Sequence, residues 1–560
     1  MKKIVLLIFI LLNTVVNAQE DKTVTLTVSG TGKTLEEARL NALRSSIEQA
    51  FGAFISSKTE ILNDNLVKDE IVSISNGNIQ KYDVVSQLEV PNVGYAMTLI
   101  ATVSIDKLTS FSENKGIAVE FKGNLFAANI KLQKLNENSE IKVMFDLFGI
   151  IHQNFQSSFN YLIETKNIIL DNDKINYNVP LKITATTNEN YDSTLNYLLK
   201  VLSNVSMNST QVDEYNVMKK DVYKIKITYN NKDNTYYLRK KESFDLLKNF
   251  QNAWLFYLGC FDVKNGINIF HGPTGLRYRL EAGDTLWEQI NYPFSVNTNN
   301  LSDYDEYFKN GKRKFISIRG EKSWAEKEDE RYLTFNMPSI SKSVADFEWN
   351  DIVSLNEIEK ITNYTVNPSG IISKFKDGGY VIYEKNGKSI IACPFPINDY
   401  NDWGVYQSSK PLGNGSKLFD GKINTSKISQ INCTNNIGKK IKNFSVAGYN
   451  DWSIPSSDEL SLIFNKIYLM GFGTEYWGTF YSSTEVIPEN YFLSQNFGKV
   501  YSVSFEWYFR KFIESYLTNK NLNPKDDLLI NIKTSSKNDE YKEHLEYKWF
   551  QLVRYVDNVK

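Results

Sequence analysis

The chain has 560 residues, with 64 basic against 65 acidic side chains and a net charge of -1, so no broad positive field marks it for nucleic acid or an anionic membrane. Its three cysteines, Cys260, Cys393 and Cys433, show no CxxC spacing, and no GxSxG or HExxH run occurs, which removes the commonest nucleophile and zinc chemistries. The three histidines, His152, His271 and His544, are isolated from one another; His152 lies in an apolar helical pattern and reads as a hydrogen-bonded core or surface residue, not a metal ligand.

In chain order, residues 1–18 carry lysines at 2 and 3, an apolar run from Ile4 to Leu12, and Val16-Asn-Ala18 before Gln19. That is the pattern of a secretory signal peptide. No cysteine follows the cleavage point and no later apolar run nears the ~20 residues of a membrane helix, so an exported chain without a transmembrane segment is expected, in the periplasm, outer-membrane-associated or on the cell surface. The remainder is long enough for roughly three to four domains of about 150 residues. The expected fold class is α+β multidomain, divided as 19–115, 116–259, a β-rich connector 260–367, and 368–560.

Thr23 to Ser29 alternates as a strand, and Gly30-Thr-Gly32 reads as its turn. Gly30-Thr-Gly-Lys-Thr34 superficially suggests a phosphate loop, but the glycine needed five positions before Gly32 is Thr27, and Thr34 with Glu37 makes a capping box instead. Leu35, Ala38, Ala42, Leu43, Ile47, Ala50, Phe51 and Phe54 then keep helical spacing, and strands are expected near 80–90 and 95–105. Gly30 to Arg39, Ala42-Leu43, Ile47 to Gly52, and Asn63-Asp64 through Ile79 resemble the N-terminal domain of flagellar assembly protein T and related envelope lipoproteins. The resemblance implies an envelope-associated packing module over 19–115, not a catalyst.

In 116–259 the spacing predicts a buried helix over 142–159, a strand over 179–187, a helix over 191–202, and a hairpin of 223–229 with 235–239 around Asn230 to Asn234. Residues 260–367 turn to short aromatic strands, with the charged run Glu326 to Arg331 as a solvated loop.

The densest run is Gly448 to Leu460. Asn450 and Asp451 read as turn residues before Trp452, a core anchor; Pro455 ends the strand; Ser456 and Glu459 form a capping box, so a helix starts at Ser457. This run, with Gly378 to Tyr383, Asp402-Trp403-Gly404, a glycine/asparagine loop Gly421 to Thr425, Tyr481 to Glu485, Gln495 to Gly498 and Val553-Arg554, resembles the Lcl C-terminal-like family of the C-type-lectin and sulfatase-modifying-factor-like fold group. Tyr481 stands where the family usually has tryptophan, and the closing pattern is half present. The group includes a formylglycine-forming oxidase whose cysteines lie late in the domain; no cysteine follows Cys433, so that chemistry is not expected.

Recognition is what remains. The run Gly471 to Tyr481 is loaded with aromatics, and Tyr476, Trp477, Phe480 and Tyr481, with Trp507, are the candidates to stack on a sugar or anchor a protein; covering the domain core is the plainer alternative. Asn450, Asp451, Asp458 and Glu459 are oxygen donors, but turn and cap duties occupy three of them, and no metal or cofactor is expected. Cys393 and Cys433 are candidates for one disulfide, with Cys260 left over. The expectation is a non-enzymatic, adhesin-like binding protein for polysaccharide or an envelope or matrix protein, with a periplasmic assembly component as the alternative and an enzyme of undetermined reaction, built on a carboxylate or tyrosine site, as a third class.

Overall fold

The computed structural model describes residues 22–54, 77–91, 93–114, 125–155, 157–165, 167–259, 261–263, 313–315, 331–341, 343–353, 366–368, 374–399, 412, 414–432, 436–466, 479–485, 500–504 and 548–557. It is mixed α+β, 42% helix and 34% strand, with several separate sheets. Two compact units divide the chain: Met1–Gln87 with Val93–Ser139, and Leu88–Asn92 with Glu140–Lys560. Among the described residues no helix is long and apolar enough to cross a membrane. The signal-peptide pattern of 1–18 lies outside them.

In the first unit, β1 (Thr23–Gly32) leads into α1 (Leu35–Phe54), followed by β2 (Ile79–Val90), β3 (Gly94–Ser104) and α2 (Ile105–Asn114). The strands form one sheet in the order β1-β3-β2, and β1 runs antiparallel to β3 from Thr23↔Ser104 to Gly32↔Tyr95. Val24, Leu26 and Val28 share one buried cluster with Ala38, Ala42, Ala50 and Phe51. Gly30 and Gly32 belong to this strand, not to a turn. A Cβ on Gly30 would stand 2.4 Å from the Ala42 nitrogen, and one on Gly32 2.6 Å from the Ala38 nitrogen, so the glycines admit α1 against the sheet. The Thr34 cap forms in a shifted version: Glu37 N–H donates to Thr34 Oγ1 at 3.1 Å, but the Glu37 carboxylate accepts from Lys33 N–H at 2.9 Å.

The unit division falls inside α3 (Leu125–Phe155), a longer helix than the spacing suggests at its start and a shorter one at its end, where Phe159 already opens β4 (Phe159–Thr165). There follow β5 (Ile169–Leu170), β6 (Tyr177–Thr187), α4 (Glu189–Val205), α5 (Ser209–Val217), β7 (Tyr223–Tyr229), β8 (Lys232–Leu238) and α6 (Lys241–Gly259). The β7–β8 turn is only Asn230-Asn231, at φ 50° and 60°, the left-handed pair that a two-residue hairpin loop requires. Lys232 to Asn234, expected in the loop, therefore pair in the hairpin.

Residues 260–367 contribute β9 (Phe261–Val263), β10 (Arg313–Phe315), β11 (Tyr332–Met337), β12 (Ser343–Val353) and β13 (Val366–Pro368). Apart from the β9–β13 pair, these strands join the sheets of the preceding region: β10-β12-β6-β4, with β5 on β6, and β11-β7-β8. β11 lies parallel to β7, from Tyr332↔Lys224 to Met337↔Tyr229.

The C-terminal module comprises β14 (Phe375–Lys376), β15 (Gly379–Lys385), β16 (Lys388–Ala392), β17 (Ile397–Asp399), α7 (Asp420–Ser429), α8 (Ile437–Lys442), α9 (Ser457–Lys466), β18 (Thr479–Glu485), β19 (Val500–Ser504), β20 (Lys548–Phe550) and β21 (Val553–Asp557). Its sheets are β14-β15-β16-β21 and β17-β20-β18-β19. The chain's last strand pairs antiparallel with β16, Lys388↔Asp557 to Ala392↔Val553. Within the second unit this module seats on α3 and α6. The Phe375 ring packs against Phe148 and Tyr380 at 4.9 and 5.0 Å, a Cβ on Gly149 would meet it at 3.1 Å, and Asn249 Nδ2 donates to Pro394 O at 2.8 Å.

Candidate functional site

The motif run Gly448 to Leu460 is where the C-terminal module comes together. Its turn is Ala447-Gly448, at φ 54° and 85°, between the bridged Val446 and Tyr449, three residues earlier than Asn450-Asp451 suggests. Trp452 is buried and its Nε1–H donates to Tyr449 O at 3.1 Å. Asp451 is exposed and takes both arms of Arg554: Nε to Oδ1 at 2.8 Å and Nη2 to Oδ2 at 3.2 Å. The same guanidinium lies 4.0 Å from the Tyr449 ring centroid and donates to Asp377 O at 2.9 Å. Asp451 is therefore a fastening for β21. Pro455 offers its carbonyl to Ser483, whose N–H and Oγ–H donate at 2.6 and 2.9 Å.

Ser456 and Glu459 form the expected capping box. Glu459 N–H donates to Ser456 Oγ at 3.3 Å, and Ser456 N–H donates to Glu459 Oε2 at 2.7 Å. The carboxylate does more than cap α9. Its Oε1 accepts from Phe419 N–H at 2.6 Å, and its Oε2 also accepts from the Tyr555 hydroxyl at 3.1 Å. Three separated segments thus converge on one buried side chain. Burial pushes Glu459 up to about 7, the backbone donors at Ser456 and Phe419 holding it from going higher. Tyr555 is driven further up by its own burial and then by the Glu459 charge.

Around that pair the polar contacts continue. Gly421 has no room for a side chain, since a Cβ would stand 2.4 Å from the Tyr555 oxygen and 2.5 Å from Glu459 Oε2. Thr425 Oγ1 donates to Gly421 O at 2.7 Å and accepts from Ile454 N–H at 2.8 Å. Asn424 Nδ2 donates to Gly415 O and Ser483 Oγ at 2.7 and 3.1 Å, while its Oδ1 accepts from Gly415 N–H at 3.1 Å. Gly421 to Thr425, expected as a loop, lies in α7. Chemically this lattice is a clamp. Glu459 is saturated by donors and shielded from solvent, so it fixes three segments in register and does not present a carboxylate to a substrate.

Of the other site candidates, Trp403, Tyr476, Trp477, Trp507 and Cys433 lie outside the described residues. Phe480 and Tyr481 are in β18, opposite Val503 and Ser502. Cys393 carries a buried free thiol that burial pushes up to about 12, and the partner expected for it, Cys433, is among the residues not described.

The motif reading missed Tyr555 and Phe419 and, elsewhere in the second unit, a buried ion pair of Glu140 with Arg239. There Glu140 accepts from Arg239 N–H at 2.9 Å, Lys240 N–H at 3.0 Å and Arg239 Nη1 at 3.2 Å. The only sequence signal for the clamp's partners is the Gly421 to Thr425 spacing, and Glu140–Arg239 has none. No protein-family model, no curated protein and no solved structure matches this chain.

Proposed function

We propose that this chain is an exported, adhesin-like binding protein of the bacterial envelope or cell surface, recognising polysaccharide or an envelope or matrix protein through residues 368–560. The observation that carries the reading is the closure of the C-terminal module. β16 and β21 are zipped together, and Arg554 and Tyr555 of β21 are fastened to Asp451 and Glu459, so the chain that leaves this base at Cys393 and returns at Leu552 is tied back to it midway. A fixed base that displays a long excursion suits recognition, since contact groups must be held in place while their identity varies freely. The aromatic run Gly471 to Tyr481 belongs to this excursion and enters β18 at Thr479.

The test is binding of the full chain to arrays of polysaccharides and matrix proteins. Trp477→Ala is expected to weaken the strongest interaction with an unchanged melting temperature; equal binding by the variant would refute a role for that run. An assembly role through the first unit is a second reading, favoured by that unit's own core. Under it, deletion of 19–115 releases the protein from membrane fractions, whereas the adhesin reading expects fractionation to be unaffected.

A further inference from the structure

Away from the C-terminal module, three cationic side chains from two separate stretches share one open depression of about 420 Å³, lined by Asn216, Lys220, Val222, Lys224, Arg331 and Tyr332. Its frame is backbone. Parallel pairing sets Tyr332 opposite Lys224, and Lys224 N–H donates to Arg331 O at 2.8 Å, so the two strands cannot slide without breaking the site. Lys224 Nζ stands 5.3 Å from the centroid of the Tyr332 ring, and Lys220 Nζ 5.3 Å from that of Tyr215. A carboxylate stands at the rim, Asp221, whose Oδ1 lies 3.3 Å from Arg331 Nη1. Tyr332 remains 43% exposed.

We propose that this depression binds an acidic polysaccharide, one bearing carboxylate or sulfate groups. An aromatic ring packs on the C–H face of a pyranose, and adjoining ammonium and guanidinium groups take the anionic substituent; the depression supplies both within one sugar's reach. A neutral sugar would desolvate the two lysines and the Arg331–Asp221 ion pair and return no charge to them. A nucleic acid would need a positive field extending over many phosphates, which a chain of 64 basic and 65 acidic residues does not provide. The site lies on the β11-β7-β8 sheet, so it stands or falls separately from the reading of residues 368–560.

The test is affinity electrophoresis of the full chain at low salt through gels containing polygalacturonate, dextran sulfate, neutral dextran or poly(dT). Retardation is expected with polygalacturonate or dextran sulfate, the stronger of the two identifying the anionic group, and not with neutral dextran. Lys220→Ala/Lys224→Ala/Arg331→Ala is expected to raise the apparent Kd about tenfold or more, and Tyr332→Ala about fivefold, whereas Tyr332→Phe keeps the ring and stays within about twofold. Because these positions lie on an open surface, melting curves should match the parent; Tyr332→Ala, with Tyr332→Phe as its silent control, supplies the check if the triple variant is unstable. The proposal is overturned if neither acidic polymer retards the parent, if the variants are retarded equally, or if poly(dT) retards it more than either. Loss of retardation in Trp477→Ala with none in the triple variant would also overturn it, by moving the contact to the C-terminal module.

Discussion

In the first unit, Val24, Leu26 and Val28 meet Ala38, Ala42 and Phe51 with no ionisable group between them, and every acidic side chain described there is at least partly exposed. In the C-terminal module the corresponding junction, where a helix meets a loop and the last strand, is made by Glu459 and its donors from Ser456, Phe419 and Tyr555. The difference lies in how each interface is specified. Burial of apolar area is non-directional and follows from periodicity, so α1 finds its sheet by its stripe alone. A buried carboxylate is costly unless its lone pairs are filled, so the second junction accepts only one arrangement of three segments. The first should tolerate apolar exchange but not added volume; the second should tolerate neither loss of charge geometry nor change of protonation.

Glu459→Ala tests the sharper side of that contrast. It strands two backbone N–H groups and a tyrosine hydroxyl in a buried site, a loss of about 4 kcal/mol at roughly one to three per stranded donor. Hydrogen exchange followed by mass spectrometry should show peptides from 417–466 and 553–557 losing protection by about three orders of magnitude, while those from 35–54 hold theirs. Equal loss in both regions would mean that the clamp is not local to the module.

The next effect is a pH dependence. Glu459 is raised to about 7 in the folded chain from 4.5, so between those values the folded form holds a proton that the unfolded form has released. Its contribution is complete below pH 4.5 and is lost as pH rises through 7, amounting to about 3 kcal/mol at about 1.36 per pKa step. Relative to Glu459→Gln, which cannot titrate, protection factors in 417–466 of the parent should fall by about two orders of magnitude between pH 5 and pH 8. Peptides from 35–54 should show no such trend. A flat difference across that range would place the carboxylate's pKa near its ordinary value and remove protonation from the account.

What the sequence made legible divides along the same line. The expected span of α1 agrees with Leu35–Phe54 because eight apolar residues and a threonine cap specify it within twenty positions. Ser457 as the start of α9 is equally local. The clamp's other arms are not legible: Phe419 and Tyr555 stand 40 and 96 residues from Glu459, and neither residue type announces a carboxylate partner. α7 reads as a loop in sequence because its N-cap is Phe419 at φ 71°, with no side-chain cap to signal a helix. Parallel pairing of β11 with β7 has no short-range signal either, since parallel strands need a long crossover. The aromatic candidates Tyr476, Trp477 and Trp507 stand as expectations from composition and resemblance.

Added volume probes the apolar side, and more gently. A methyl group on Gly30 would stand 2.4 Å from Ala42 N, 2.5 Å from Ala38 O and 2.9 Å from Asn41 C, all backbone atoms of α1 that cannot turn away as a side chain can. The helix must lift from β1, and overpacking of this kind costs about 2 kcal/mol. Gly30→Ala should therefore speed exchange in 35–54 by about thirtyfold at that cost, leaving 417–466 unchanged. A methyl group on Gly77 would meet nothing within 4 Å, so Gly77→Ala is the matched control and should leave both regions as they were. If Gly30→Ala proved as silent as Gly77→Ala, close approach of helix to strand would not explain the glycines of Gly30-Thr-Gly-Lys-Thr34, and the phosphate-loop likeness would have to be tested again by nucleotide binding.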